Sequence, residues 1–152
     1  MEPGFAFRHD LRVRFAETDA QTVVYHSNFL IYADAARVEY FRALGGANDP
    51  TEWRRDRGYD VALVHAECDF RSPAHFDDLL TVWMRLAHVG NASFGFEYRI
   101  TNGDTLVCEV KTTQCAIDKK ARTTRPLPDE FKQALRSFEE SLRRAAPERQ
   151  RA

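Results

Sequence analysis

The residues with chemical potential crowd into one stretch, Phe15-Ala16-Glu17-Thr18-Asp19-Ala20-Gln21-Thr22-Val23-Val24-Tyr25-His26-Ser27-Asn28-Phe29, which leads into a long apolar segment closed by Gly45-Gly46. Asp19 stands just ahead of an expected helix start, where unpaired backbone N–H groups and the helix dipole favour negative charge. A carboxylate beside such donors suits acyl chemistry. The carboxylate attacks a carbonyl or activates water, and the N–H groups take up charge on the carbonyl oxygen. Glu17 competes for the role, since two residues along an extended segment it would point the same way, and it ranks second as a solvent-facing or loop-bonding group. His26 can act through its side chain or only through its backbone N–H. Tyr25 reads as a pocket wall or an interface residue.

Other chemistries have weaker signals. His9, His65, His75 and His88 are scattered without metal-ligand spacing, and no Gly-x-Ser-x-Gly elbow is present, so neither a metal site nor a serine triad is expected. Cys68, Cys108 and Cys115 lie inside strand-like runs with no Cys-x-x-Cys pair, and are expected as buried thiols of a reducing compartment.

The elements that must position the stretch follow in order. Leu11-Arg12-Val13-Arg14-Phe15 alternates apolar and charged, which predicts a half-buried strand with its arginines in solvent. Ser27 or Asn28 is placed to cap a helix over 29–44, apolar around most of its circumference and interrupted only by Asp34, Arg37, Glu39 and Arg42. Such a helix needs cover on more than one side, and a single sheet wrapped around it supplies that cover. Gly45-Gly46 ends it. Asn48 to Trp53 opens a second helix of a turn or two, with Asp49 as cap and Pro50 in its first turn.

From Tyr59 the period changes to two. Ala62, Val64, Ala66, Cys68 and Phe70 define one face of a strand ended by Ser72-Pro73. Leu80 to Leu86, Phe94 to Ile100 and Leu106 to Ile117 form three more, joined by tight turns at Gly90-Asn91 and Asn102-Gly103, which makes them an antiparallel meander. Past Pro126-Leu127-Pro128, the residues Phe131, Leu135, Phe138 and Leu142 make one stripe of an amphipathic helix. The expected whole is α+β: one antiparallel sheet around a long central helix, with a C-terminal amphipathic helix. The chain fits one domain over 1–152, with 1–6 and 145–152 as flexible ends.

Composition bounds the partners. With 22 basic and 23 acidic residues the formal charge is −1, which gives no whole-molecule field toward nucleic acid or an anionic membrane surface. The N-terminus lacks the pattern of a signal peptide and no apolar run is long enough to span a bilayer, so the expected location is cytoplasmic, without membrane insertion.

The run from Thr18 through Leu30, together with Asp34-Ala35-Ala36-Arg37, the segment Asp69 to Asp78 and the segment Arg122 to Pro128, resembles hot-dog-fold acyl-CoA thioesterases of the 4-hydroxybenzoyl-CoA thioesterase type, including the branch similar to the Tol–Pal-associated thioesterase. The similarity covers roughly residues 8 to 130. It implies hydrolysis of an acyl-CoA to free acid and coenzyme A without a cofactor. Asp19 would be nucleophile or general base, and the backbone N–H near His26 the oxyanion donor. It also implies a homodimer, often paired into a homotetramer, with active sites between subunits.

Tyr25, Asn28 and Thr22 are then candidate substrate contacts. Arg71 and Arg122 are candidate partners for the coenzyme A phosphates, with Lys119, Lys120 and Arg125 as further suppliers. Ser93 could reach the interface pocket. Many relatives carry Gly at the position of Thr22, where a β-branched residue restricts positive φ and close approach. Two rival readings keep the fold: a non-catalytic module that binds acyl-CoA or acyl-carrier protein, and a dehydratase, which needs a catalytic histidine that this motif does not announce. Hot-dog thioesterases with the acid on the central helix would nominate Asp34 or Glu39 instead, which the Asp19 motif argues against.

Overall fold

The computed structural model describes residues 2–52 and 57–146. The Trp53 end of the expected second helix and the tail beyond Ala146 lie outside them. Five strands form one antiparallel sheet: β1 (Phe7–Arg12), β2 (Tyr59–Phe70), β3 (Leu79–Val89), β4 (Ser93–Asn102) and β5 (Thr105–Asp118), in the order β1-β3-β4-β5-β2. The helix α1 (Asn28–Leu44) lies against the concave face, and α2 (Asp129–Ala145) packs alongside β3. This is the expected hot-dog architecture, with the meander β3-β4-β5 at its centre.

The inward side chains of the meander explain why α1 sits where it does. Leu80, Val82, Met84, Phe94, Phe96, Ile100, Val107 and Val110 are almost fully buried, and Tyr40 and Phe41 of α1 meet Phe94 and Phe96 in edge-to-face contacts at 5.2 to 6.3 Å. Burying one such aromatic is worth about 1.5–3 kcal/mol, so this cluster fixes the helix on the sheet. Gly45 ends α1 at φ 72°, and its N–H donates to the Phe41 carbonyl at 3.0 Å. Beyond it, the expected short helix is realised as two single 3₁₀ turns, Gly46–Asn48 and Pro50–Glu52.

Several sequence expectations need correction. The first strand is Phe7–Arg12 rather than Leu11–Phe15: Val13 remains buried, but the chain leaves the sheet there and turns through a 3₁₀ turn at Phe15–Glu17, which leaves Phe15 76% exposed. Neither Ser27 nor Asn28 caps α1 with its side chain; Asn28 donates instead to the Glu17 carbonyl at 2.8 Å. Gly90-Asn91 belongs to a three-residue loop, closed by the Gly90 N–H on Ser93 at 2.7 Å, and the second turn is centred on Gly103-Asp104, with Gly103 at φ 56°.

The face assignment of β2 also changes. A bulge between Leu63 and His65 adds a residue to β2 against β5, which reverses the inward parity of everything beyond it. Val61 and Leu63 therefore look toward α1 before the bulge, whereas Cys68 and Phe70 do so after it. The uninterrupted face from Ala62 to Phe70 does not exist.

Candidate active site

The acidic loop is built on Glu17. Its carboxylate accepts the Arg14 N–H at 2.8 Å, the Arg14 Nε–H at 2.9 Å and the Tyr32 hydroxyl at 2.8 Å, and only 8% of the residue is exposed. Burial works against its charge, but the Arg14 N–H, the Tyr32 hydroxyl and the Arg14 guanidinium outweigh it and hold the carboxyl below the usual carboxylate value. Burial and the same contact push the Tyr32 hydroxyl well up, so it stays a neutral donor. Glu17 is thus a buried brace rather than a solvent-facing group. Its carbonyl receives both the Asn28 side chain and the Tyr25 N–H at 2.9 Å, which ties loop to helix start.

From Thr18 the chain makes a small hairpin, with Thr18 bridged to Val24 and Val23 bridged to His75. Its tip is Asp19-Ala20-Gln21-Thr22. The Asp19 N–H donates to the Val23 carbonyl at 3.0 Å and the Thr22 N–H to the Asp19 carbonyl at 2.9 Å. The Gln21 N–H holds one Asp19 carboxylate oxygen at 2.8 Å, and the other carboxylate oxygen has no partner among the described residues. Thr22 takes φ 64°, the left-handed region that a β-branched residue rarely enters. The loop therefore keeps the glycine-type conformation despite the threonine.

Asp19 and His26 line the same open cavity of about 360 Å³, with Gln21, Val23, Val24, Phe29, Phe70, Arg71, Ser72 and Pro73. The Phe29 and Phe70 rings, 5.7 Å apart, form its apolar wall. At the helix start Asn28 donates to Tyr25 and Leu30 to Ser27, while the N–H groups of His26 and Ser27 have no acceptor among the described residues. Asp19 and His26, one of the two residues with an unused N–H, thus border one space, and a carboxylate near such a donor is a pairing that acyl transfer can use.

The other sequence candidates distribute unevenly. Tyr25 is half exposed and packs on the His26 ring at 4.2 Å, and Asn28 is spent on the Glu17 brace. Arg71 borders the Asp19 cavity, paired with Glu109 at 2.9 Å. Arg122 is not brought to that cavity within one chain. It lines a separate one of about 410 Å³ at the Tyr59 end of β2, near Asp60 at 3.7 Å. Asp34 is paired with Arg37 and Glu39 with Arg42, both away from Asp19. The braces Arg14 and Tyr32 and the Gln21 donor carried no sequence signal of their own, because each acts through contacts made only in the folded loop. Among the described residues no group of three or more His, Cys, Asp or Glu is placed to hold a metal ion, and no helix is long and apolar enough to cross a membrane.

The five-stranded antiparallel sheet with α1 packed against it defines a hot-dog fold. The chain belongs to the thioesterase-like superfamily, whose family model matches residues 13–135. It is similar to a crystal structure of an Aquifex aeolicus protein, with a TM-score of 0.77 and 32% identity over 85% of this chain and 98% of that one. The acyl-CoA thioester hydrolase YbgC of Escherichia coli O6:H1 is 30% identical over 84% of this chain and 96% of its own. The 1,4-dihydroxy-2-naphthoyl-CoA thioesterase of Synechocystis superposes with a TM-score of 0.74 at 26% identity, covering 85% of this chain and 94% of that one.

Proposed function

We propose that the protein is an acyl-CoA thioesterase that hydrolyses its substrate to a free acid and coenzyme A at Asp19. The observation that carries this reading is that Asp19 and His26, whose N–H has no acceptor among the described residues, line one cavity. The names of relatives at 26 and 30% identity agree with it in reaction; one specifies a 1,4-dihydroxy-2-naphthoyl group and the other no particular acyl group.

A thioester carbonyl seated with its oxygen on the helix start presents its carbon to Asp19. As a nucleophile, Asp19 forms a C–O bond to that carbon while the C–S bond breaks and coenzyme A leaves as thiolate, after which water opens the anhydride. As a general base, Asp19 takes a proton from the attacking water, and the same C–S bond breaks. In both routes the N–H donors stabilise the oxyanion, a contribution worth about 10²–10³ in rate per donor. Thiolate is a good leaving group, so a strong acid opposite it is unnecessary. The alternative, a non-catalytic module whose loop is altered at Thr22, predicts ligand binding without hydrolysis.

The site is also proposed to be completed by a second copy. The strand β2 is a sheet edge whose Leu63, Val64 and Phe70 are 54 to 57% exposed, and such an edge is a template for strand pairing. Antiparallel pairing of β2 with its copy sets the Phe70 end of one strand beside the Tyr59 end of the other. The Asp19 cavity of one protomer then meets the Arg122 cavity of its partner, which would let Arg71 and Arg122 serve one coenzyme A.

The test is release of free thiol from a panel of short, medium and aromatic acyl-CoAs by wild type and Asp19→Asn. Turnover by wild type, and its loss in the variant, is expected. Equal activity in the two would overturn the role of Asp19, and tight binding without turnover would leave a binding module. An acyl adduct on Asp19 after rapid quench marks the nucleophile route.

A further inference from the structure

Two thiols that the proposed reaction does not use meet between the edge strand and its neighbour. Cys68 lies on β2 and Cys108 on β5, and a hydrogen bond joins their side chains. Both face α1: Cys108 is fully buried, whereas Cys68 is half-buried and packs against the core. The remaining cysteine, Cys115, lies on the opposite face of β5.

The register makes this pair diagonal. Cys108 stands directly opposite Phe70, and Cys68 opposite Val110. Diagonal Cα atoms across such a strand pair are about 7–8 Å apart, just beyond the roughly 4.4–6.8 Å that a disulfide spans. Linking the two sulfurs therefore draws β2 toward β5 at that end. The segment it moves carries Phe70, whose ring meets Phe29 at 5.7 Å and His26 at 6.4 Å and walls the Asp19 cavity. A bond closed against such resistance is also readily reduced, which suits a reversible change rather than a permanent staple.

We infer that Cys68 and Cys108 form a modification site: a dithiol that hydrogen peroxide converts to an intramolecular disulfide, which shifts the Phe70 wall and lowers turnover at the Asp19 cavity. The bond itself stands on the contact between the thiols. Its effect on turnover rests on the thioesterase reading.

Cys68 reacts first. It is the more exposed, and the Cys108 thiol donates to its sulfur once that is ionised, whereas burial and the neighbouring Cys68, Asp69 and Glu109 push Cys108 up to about 12. Burial raises Cys68 as well, so its thiolate is scarce at neutral pH and the site answers sustained rather than brief exposure. The Cys68 thiolate attacks one peroxide oxygen, the O–O bond breaks and hydroxide leaves, which puts a sulfenic acid on Cys68. The Cys108 sulfur then loses its proton and attacks the Cys68 sulfur, and the S–O bond breaks as water leaves. The sulfurs give up two electrons in all, and the peroxide takes the two thiol protons to become two waters.

The test exposes wild type to hydrogen peroxide, removes the excess with catalase, then denatures, alkylates and maps the protein by mass spectrometry. The expected product is a peptide linked through Cys68 and Cys108 with Cys115 alone alkylated, and dithiothreitol before alkylation restores all three thiols. Unchanged free thiols, sulfinic acid without the link, or a link to Cys115 or to a second chain overturns the site.

Turnover of the acyl-CoA that the reduced protein hydrolyses best, followed by chromatography, is expected to fall about tenfold on oxidation, since small displacements near a reaction centre are costly, and to recover on reduction. A folded Cys68→Ala, or Cys108→Ala if the first does not fold, is expected to keep its turnover under peroxide. A linked wild type with unchanged turnover, or a variant that loses turnover as wild type does, overturns the coupling to the cavity. A reduced protein that hydrolyses no acyl-CoA removes the thioesterase reading, and the linked peptide still decides the site.

Discussion

At Thr22, Glu17 and Asp19 single residues set the terms of the site. A left-handed conformation costs a non-glycine residue about 1–2 kcal/mol, part of which glycine gives back through its freedom in the unfolded chain. Thr22→Gly is therefore expected to raise stability by up to about 1 kcal/mol, read as an increase in the urea midpoint at constant slope. A fall would show that the threonine side chain contributes more than its backbone strain removes. For Asp19→Asn the expected loss is about 10²–10⁴ in kcat, the usual range for a positioned acid or base, with the thermal midpoint close to that of wild type. Unfolding of the variant by circular dichroism would assign the loss to structure instead.

Glu17 acts on the element it joins. Its carboxylate holds the 3₁₀ turn at Arg14 and the first turns of α1 through Tyr32 in one arrangement. Because its pKa in the fold is lowered below 4.5, the folded state binds the carboxylate form preferentially. That stability is present in full above the unfolded value near 4.5 and is lost as pH falls through the lower folded value. Glu17→Gln is thus expected to lower stability at pH 7 by about 1.5–3 kcal/mol, with the gap to wild type closing below pH 4.5, by denaturant titration across pH. A gap independent of pH would show that charge is not what the brace uses. The helix α2 has a comparable tie. Its buried Glu139 accepts the Tyr40 hydroxyl at 3.0 Å and the Leu86 N–H at 3.2 Å, the latter at a bulge in β3.

For the whole molecule the open question of assembly falls on β2. One strand places an apolar edge, the wall of the Asp19 cavity at Phe70 and the Arg122 cavity at Tyr59 along a single line. Leu63→Asp puts a charge in the middle of that line. It is expected to convert a dimer into monomers by light scattering, with turnover falling at least tenfold while the monomer stays folded, as desolvating an unpaired carboxylate in a strand pair is costly. A wild type that is monomeric and active at micromolar concentration would overturn the shared site.

The sequence by itself determined the sheet-and-helix order, the meander, the helix over 29–44 and the placing of Asp19 before a helix start, because hydrophobic period and turn chemistry are local and read directly along the chain; of that helix one face is buried, with Ile31 55% exposed. It also marked Thr22 as the residue at odds with its position, and the backbone there is the positive-φ one that glycine suits. What it missed depends on contacts between distant segments. The β2 bulge that swaps inward faces is set by pairing with β5. Glu17 becomes a brace only when Tyr32, fifteen residues on, is folded against it. Gln114 looks like one more polar residue in an alternating strand, and only the packing of α1 over β5 encloses its amide oxygen without a partner. Burial and hydrogen-bond satisfaction are properties of the assembled core, so tertiary structure alone decides which polar residues of a strand end up enclosed.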